Sequence, residues 1–263
     1  MPFEVTNVER RRDAAAGAPP LLELRNVSKA YGHVSALSGV DITVGAGEVV
    51  ALVGDNGAGK STLLKAIAGV HQITSGEILL DGERVEMASP TDAARLGIET
   101  VYQDLALCDN LDVTANLYLG RELRVRRIPF LDRVRMEREA AKVISELAST
   151  VPNLQKPVSA LSGGQRQAIA VARAALWGSK VVLLDEPTAA LGVAQTRMVY
   201  ELVAKMRDRG LGVIVVTHNM ADAFATADRI VVLRLGRNAG EFTPQSNTPD
   251  QVVAAITGSD TIR

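Results

Sequence analysis

Five consecutive apolar residues, Val49 to Val53, end abruptly at Gly54, and short apolar runs that stop at polar or glycine-rich turns recur along the chain. A continuous run of this length fits a strand buried on both faces. Leu21 to Val27 and Val40 to Val44 read as further strands ahead of it, so a sheet begins at Leu21. Glu77 to Leu80 and Arg84 to Glu86 flank Asp81-Gly82, a dipeptide that accepts positive φ and predicts a tight hairpin. Ser89-Pro90-Thr91-Asp92 supplies an N-cap, a proline in the first helical turn and an acid three residues after the cap, and Gly97 closes the short helix this predicts. Ahead of Leu21, residues 1–20 carry Arg10-Arg11-Arg12, an Ala/Gly stretch and Pro19-Pro20 without an apolar period, and read as a disordered extension.

After the strand Ile98 to Tyr102 the pattern changes. Between Asp104 and Trp177 helical periodicity takes over, notably in Arg135 to Leu147 and Gln165 to Leu176, which predicts an inserted helical subdomain. Strands and helices then alternate: Val181 to Leu184, Ala194 to Asp208, Gly212 to Thr217, Met220 to Ala227 and Ile230 to Leu235. Such alternation implies crossover helices on a parallel sheet. The expected fold is α/β: around Gly54-Asp55-Asn56-Gly57-Ala58-Gly59-Lys60-Ser61, the pattern of a phosphate-loop NTPase core, it has a mainly parallel sheet, with an N-terminal antiparallel β subdomain and the inserted α-helical subdomain. Residues 21–263 form a single domain in this reading, with 21–103 and 178–263 as the core and 104–177 as the insertion. No internal repeat doubles it.

Composition narrows the partners. With 263 residues, 47 % hydrophobic, the chain can bury a large core without disulfides, and its one cysteine, Cys108, fits a reducing compartment. No apolar run approaches the roughly 20 residues needed to span a bilayer, and the N-terminus lacks the apolar segment of a secretory signal. A net charge of -1 gives no general attraction to nucleic acid, which is not an expected partner.

Three segments carry the chemistry. Gly54-Asp55-Asn56-Gly57-Ala58-Gly59-Lys60-Ser61 is a phosphate-binding loop in the right context, after a buried strand and before a helix reading Leu63 to Val70. Its backbone N–H groups would face phosphates, Lys60 would reach the β- and γ-phosphates, Ser61 would ligate Mg²⁺ and Thr62 would contact phosphate. Asp185-Glu186 follows Val181 to Leu184 at the end of a strand where ligands bind in open sheets. Asp185 is expected in the Mg²⁺ shell, with Glu186 orienting the attacking water. Ser162-Gly163-Gly164-Gln165 reads either as a capping box or as a second anion receptor. The box explains Ser162 and Gln165, whereas two glycines in a first helical turn cost about 1 kcal/mol each against alanine.

With Leu161-Ser162-Gly163-Gly164-Gln165 lying between the phosphate loop and the acidic strand end, the chain resembles the ATP-hydrolysing subunit of ATP-binding-cassette (ABC) transporters over about Leu21 to Gly236. The resemblance implies that Ser162 to Gln165 bind the ATP of a second subunit, in a head-to-tail homodimer. It implies that Gln103 touches Mg²⁺ and the attacking water, that His218 contacts the γ-phosphate and that Tyr31 stacks on adenine. Ala189 to Val193, Thr217 to Met220 and Arg229 to Gly236 look most like bacterial ribose/xylose/fructose importers, in their single-cassette form. That implies integral-membrane permease subunits, an extracytoplasmic sugar-binding protein and a peripheral place on the cytoplasmic side of the inner membrane. Gly192 stands where many members carry an aspartate that couples the two sites, so that role is not transferred. A soluble ABC ATPase and an ATP-binding switch are the alternatives; guanine specificity is disfavoured because no Asn-Lys-x-Asp element is present. Arg121 to Glu139 holds seven arginines against four acids around Ile128-Pro129-Phe130-Leu131, and reads either as a solvated face or as a surface toward membrane or permease.

Overall fold

The computed structural model describes residues 19–125, 128–147, 151, 153–189 and 191–259. Residues 1–18 of the expected extension, Arg126 and Arg127, and Ala190 lie outside them. Strand β3 (Val49–Val53) is buried at every position. Its pleat sends Val49, Ala51 and Val53 into a core shared with helices, and Val50 and Leu52 into a second core shared with Leu22, Leu24 and Ile42. That double burial is why the run is continuously apolar and does not alternate.

Two sheets result. β1 (Leu22–Tyr31), β2 (Val34–Val44), β4 (Ser75–Leu80) and β5 (Glu83–Arg84) form an antiparallel sheet in the order β2-β1-β4-β5. The second has the order β10-β9-β3-β8-β7-β6, with β6 (Ile98–Val101), β7 (Val181–Asp185), β8 (Gly212–Val216) and β9 (Arg229–Arg234) running parallel to β3. β10 (Arg237–Phe242) is antiparallel to β9. The Asp81-Gly82 hairpin forms as expected, with φ of 52° and 81° at the two residues.

Helices α1 (Lys60–Ile67) and α2 (Pro90–Arg95) belong to the first half of the chain, the second capped by Ser89, which accepts from the Asp92 N–H. Between β6 and β7 lie α3 (Val113–Tyr118), α4 (Arg133–Leu147), a 3₁₀ turn (Val158–Ala160) and α5 (Gly163–Leu176), with two isolated bridges, Asp112 to Pro157 and Arg124 to Leu131. α4 buries Met136, Ala140, Ile144 and Leu147, a single stripe at helical spacing. α6 (Val193–Asp208), α7 (Met220–Thr226) and α8 (Pro249–Thr257) complete the order. No helix among the described residues is long and apolar enough to cross a membrane.

The strands β1 and β2 exceed their sequence-based limits. Bulges at Asn26, which is left-handed with φ 49°, and at Lys29 interrupt the alternation and hide the distal half of the hairpin. In the arginine-rich segment, Arg121 pairs with Glu99, Arg133 with Asp112 and Arg135 with Glu139, while Phe130 is 68 % exposed.

Candidate functional site

Parallel pairing brings four strand ends to one edge. Leu52 of β3 lies beside Val216 of β8, Asp185 of β7 beside Val216, and Val101 of β6 beside Leu184. The phosphate loop, Thr217-His218, Asp185-Glu186 and Tyr102-Gln103 therefore leave the sheet in a row, where ligands bind in open parallel sheets.

The loop from Gly54 to Gly59 enters α1 without a side-chain cap and without an acid in the first turn, leaving N–H groups directed outward. Gly59 has a φ of 103°, and a Cβ there would meet the Ala36 carbonyl at 2.9 Å and the Leu37 side chain at 2.8 Å, so glycine is required twice over. Inside the loop, the Lys60 ammonium donates to the carbonyls of Gly54 (2.7 Å) and Asp55 (3.0 Å). The Asp55 carboxylate accepts from the Asn56 N–H, and the Ala58 N–H donates to the Asp55 carbonyl, so the loop is internally braced. The Ala58 carbonyl accepts from Gly236 and the Gly236 carbonyl from Ser38, tying the loop to the β9–β10 turn and to β2. Burial lowers the Lys60 pKa, opposed by the charges of Glu186, Asp55 and Asp185.

Asp185 ends β7 half-buried, and burial followed by the adjacent Glu186 charge holds its carboxyl above the usual range. Glu186 itself is left-handed, φ 47°, with its N–H given to the Val216 carbonyl at 2.9 Å. A non-glycine residue in that region is costly and is kept only where its surroundings fix it. Its Oε1 lies 2.9 Å from His218 Nδ1. Since a carboxylate only accepts, Nδ1 carries the proton of this bond, and Nε2 is the nitrogen that points elsewhere. Behind the pair, buried Asp222 on α7 accepts from Thr188, just after Glu186, and from Tyr200 on α6. This carboxylate fastens the chain beyond Glu186 to the helix beyond His218. Nothing in the sequence marked Asp222 or Tyr200, because the contact links residues far apart in the chain.

Because the native state favours the protonated form of Asp185, the unfolded chain ionises there first as pH rises, and native stability falls across that interval. Asp185→Asn is therefore expected to raise Tm at neutral pH; a Tm equal to or below that of the wild type in thermal denaturation would contradict the sign.

Among the described residues no cluster of three or more His, Cys, Asp or Glu could hold a metal by itself. Ser61, Asp185 and Gln103 offer a hydroxyl, one carboxylate and an amide, all hard oxygen donors. That set fits Mg²⁺, which takes one or two protein oxygens and completes its shell with phosphate and water.

Ser162 to Gln165 stand apart from the row. Ser162 caps α5 by accepting from the Gln165 N–H at 3.3 Å, and Gln165 Oε1 accepts from the Ser162 N–H at 3.0 Å, so the capping box forms. Packing accounts for one of the glycines: a Cβ on Gly164 would meet Gln195 at 3.1 Å. A Cβ on Gly163 would meet only ordinary contact, with Leu191 at 3.6 Å. The fold does not explain Gly163, and a ligand approaching the helix end would. Tyr31 closes β1 in the antiparallel sheet, 43 % exposed, with His71 edge-on at 5.5 Å and the Lys29 ammonium 5.0 Å from its ring centroid. Gly192 precedes α6 at φ -75°, with open space where a Cβ would sit.

The family described as ABC transporter is matched over residues 37–189. The chain is 47 % identical over 246 residues to a fructose import ATP-binding protein, FrcA, of Rhizobium meliloti, covering 91 % of this chain and 95 % of that protein. It is 48 % identical over 237 residues to a xylose/arabinose import ATP-binding protein, XylG, of Sulfolobus acidocaldarius, covering 90 % and 94 %. Among solved structures, a bacterial ABC transporter cassette, MJ0796, in dimeric form superimposes with a TM-score of 0.71 at 26 % identity, covering 86 % of this chain and all of that one. Expected from its phosphate loop, acidic strand end and Ser-Gly-Gly-Gln turn, and matched over most of its length, the chain belongs to the ABC transporter family as one of its ATPase cassettes.

Proposed function

We propose that this chain is the ATP-hydrolysing motor of an importer for a monosaccharide. The observation that carries the reading is the row of Lys60, Asp185, Glu186 and His218 on one sheet edge, with Glu186 and His218 joined at 2.9 Å. The near full-length similarity to fructose and xylose/arabinose import proteins supports the cargo class. Residues 21–103 and 178–263 form the core of the motor, and 104–177 its helical subdomain.

In this reading Gly54 to Thr62 cradle the phosphates, with Lys60 turning from its own loop's carbonyls toward the β- and γ-phosphates. Ser61, Asp185 and Gln103 hold Mg²⁺, which when bound neutralises phosphate charge. Glu186 orients the attacking water and accepts its proton, His218 fixes Glu186 through Nδ1 and addresses the γ-phosphate through Nε2, and Tyr31 swings onto adenine. Gly163 and the α5 N-terminus close over the nucleotide held by a second copy, giving a head-to-tail homodimer. The dimer works beneath permease subunits at the cytoplasmic face of the inner membrane, fed by an extracytoplasmic sugar-binding protein.

Affinity isolation of the tagged chain from detergent-solubilised membranes of its source tests this reading. A multi-span permease is expected to co-purify, encoded beside a sugar-binding protein. Recovery from the soluble fraction alone, with no such partner, would transfer the chain to the soluble ATPases.

A further inference from the structure

The segment behind Gln103 is held in an unfavourable conformation. Leu105 and Ala106 are consecutive non-glycine residues with φ of 59° and 44°. Left-handed conformers of such residues occur singly, and adjacent pairs need an outside hold. That hold is Arg173, in the last turn of α5: its Nη1 donates to the Ala106 carbonyl at 2.8 Å and its Nη2 to the Leu105 carbonyl at 3.0 Å. A planar guanidinium can bridge two carbonyls that a lysine ammonium would serve less well. Burial disfavours the Arg173 charge, and Glu99 of β6 opposes that effect. Glu99 in turn pairs with Arg121 at 2.7 Å, and Arg121 stacks over Trp177 just beyond α5.

The same helix holds the loop again further on, where Arg166 lies 3.6 Å from Asp109. Buried Asn116 then fixes the following stretch, accepting from the Cys108 N–H and donating to the carbonyls of Cys108, Leu111 and Asp112. From Leu105 to Asp112 the chain is thus fastened to α5 and α3, while Gln103 hangs from the end of β6.

We propose that Arg173 is a positioning residue that holds Gln103 at its own nucleotide through the left-handed Leu105-Ala106 pair and so ties that glutamine to the helix whose N-terminus meets the other subunit's nucleotide. The proposal rests on the ATPase reading above. Ala106 is exposed, so its backbone preference can be changed without disturbing a core.

Four variants of the full chain test it by steady-state ATP hydrolysis, with Tm recorded for each. Arg173→Gln is expected to lower kcat about five- to tenfold with the KM for ATP within about twofold, because the phosphate loop is untouched. Ala106→Val keeps Arg173 but penalises the left-handed conformer, and is expected to lower kcat by a similar factor in a chain that stays folded with a modestly lower Tm. Ala106→Gly alone should leave kcat near wild type. Combined with Arg173→Gln it should recover at least half of the lost kcat, since glycine adopts the conformation without a clamp. Wild-type kcat in Ala106→Val, or a double variant no faster than Arg173→Gln alone, would overturn the proposal. A wild-type chain that does not hydrolyse ATP would instead sink the underlying function, so the two failures remain distinct.

Discussion

Glu186→Gln is expected to bind ATP and scarcely hydrolyse it. The substitution keeps the shape of the side chain, and its amide oxygen can still accept from His218 Nδ1, so the 2.9 Å contact and the left-handed turn survive. What is lost is a group able to take a proton from water, and general-base catalysis contributes typically about 10²–10⁴ in rate. Lys60 and the α1 N-terminus are unaltered, so nucleotide affinity should change little. The variant should therefore accumulate as an ATP-bound dimer, detectable by gel filtration with ATP and Mg²⁺, with kcat reduced about 10²–10⁴-fold. Hydrolysis at the wild-type rate would remove Glu186 from its assigned role.

Two inactive variants should restore each other when mixed. Lys60→Ala removes the cation of the phosphate loop; Gly163→Glu places a carboxylate on the α5 N-terminus, where the fold has room for a Cβ. In the proposed head-to-tail dimer, each homodimer carries its lesion in both composite sites. In a heterodimer both lesions fall in one site, and the other is intact. Random mixing of equal amounts makes half the dimers mixed, so about a quarter of wild-type ATPase activity is expected from the mixture. If nucleotide were bound within one chain only, the mixture would stay as inactive as its components. Renaturation or co-expression supplies the exchange, and the two variants assayed separately are the controls.

Much of this site can be read in the sequence because its parts are local. A phosphate loop joins adjacent elements, and an acidic pair after an apolar run declares a strand end whatever the sheet order. Val49 to Val53 matches its strand residue for residue, since burial on both faces leaves no ambiguity of period. The parts that escaped are relational. Arg173 reads as an ordinary basic residue in a last helical turn, and only the folded chain puts it 67 residues back against Ala106. Asp222 hides in the same way behind Thr188 and Tyr200. The omission of α8 is different in kind, because its signal was present. Thr248-Pro249-Asp250-Gln251 repeats the cap logic of Ser89-Pro90-Thr91-Asp92, yet only Val252 of the helix is fully buried, so no apolar stripe drew attention to it. β10 was hidden for a similar reason, being mostly exposed as the last strand on its side.

The order of strands also decides which groups of the proposed site can be moved separately. β3 and β8 are flanked on both sides, so the phosphate loop and His218 inherit the stiffness of two ladders each. β6 is the opposite margin of the sheet and is hydrogen-bonded to β7 alone, three strand spacings, or about 14 Å, from β3. Withdrawing Gln103 therefore strains one ladder and the Arg173 clamp behind it, whereas displacing Lys60 would strain the two ladders at the middle of the sheet. If Lys60 and Gln103 play their proposed parts, nucleotide would remain gripped while hydrolysis is switched on or off from the periphery, which would separate holding the fuel from igniting it.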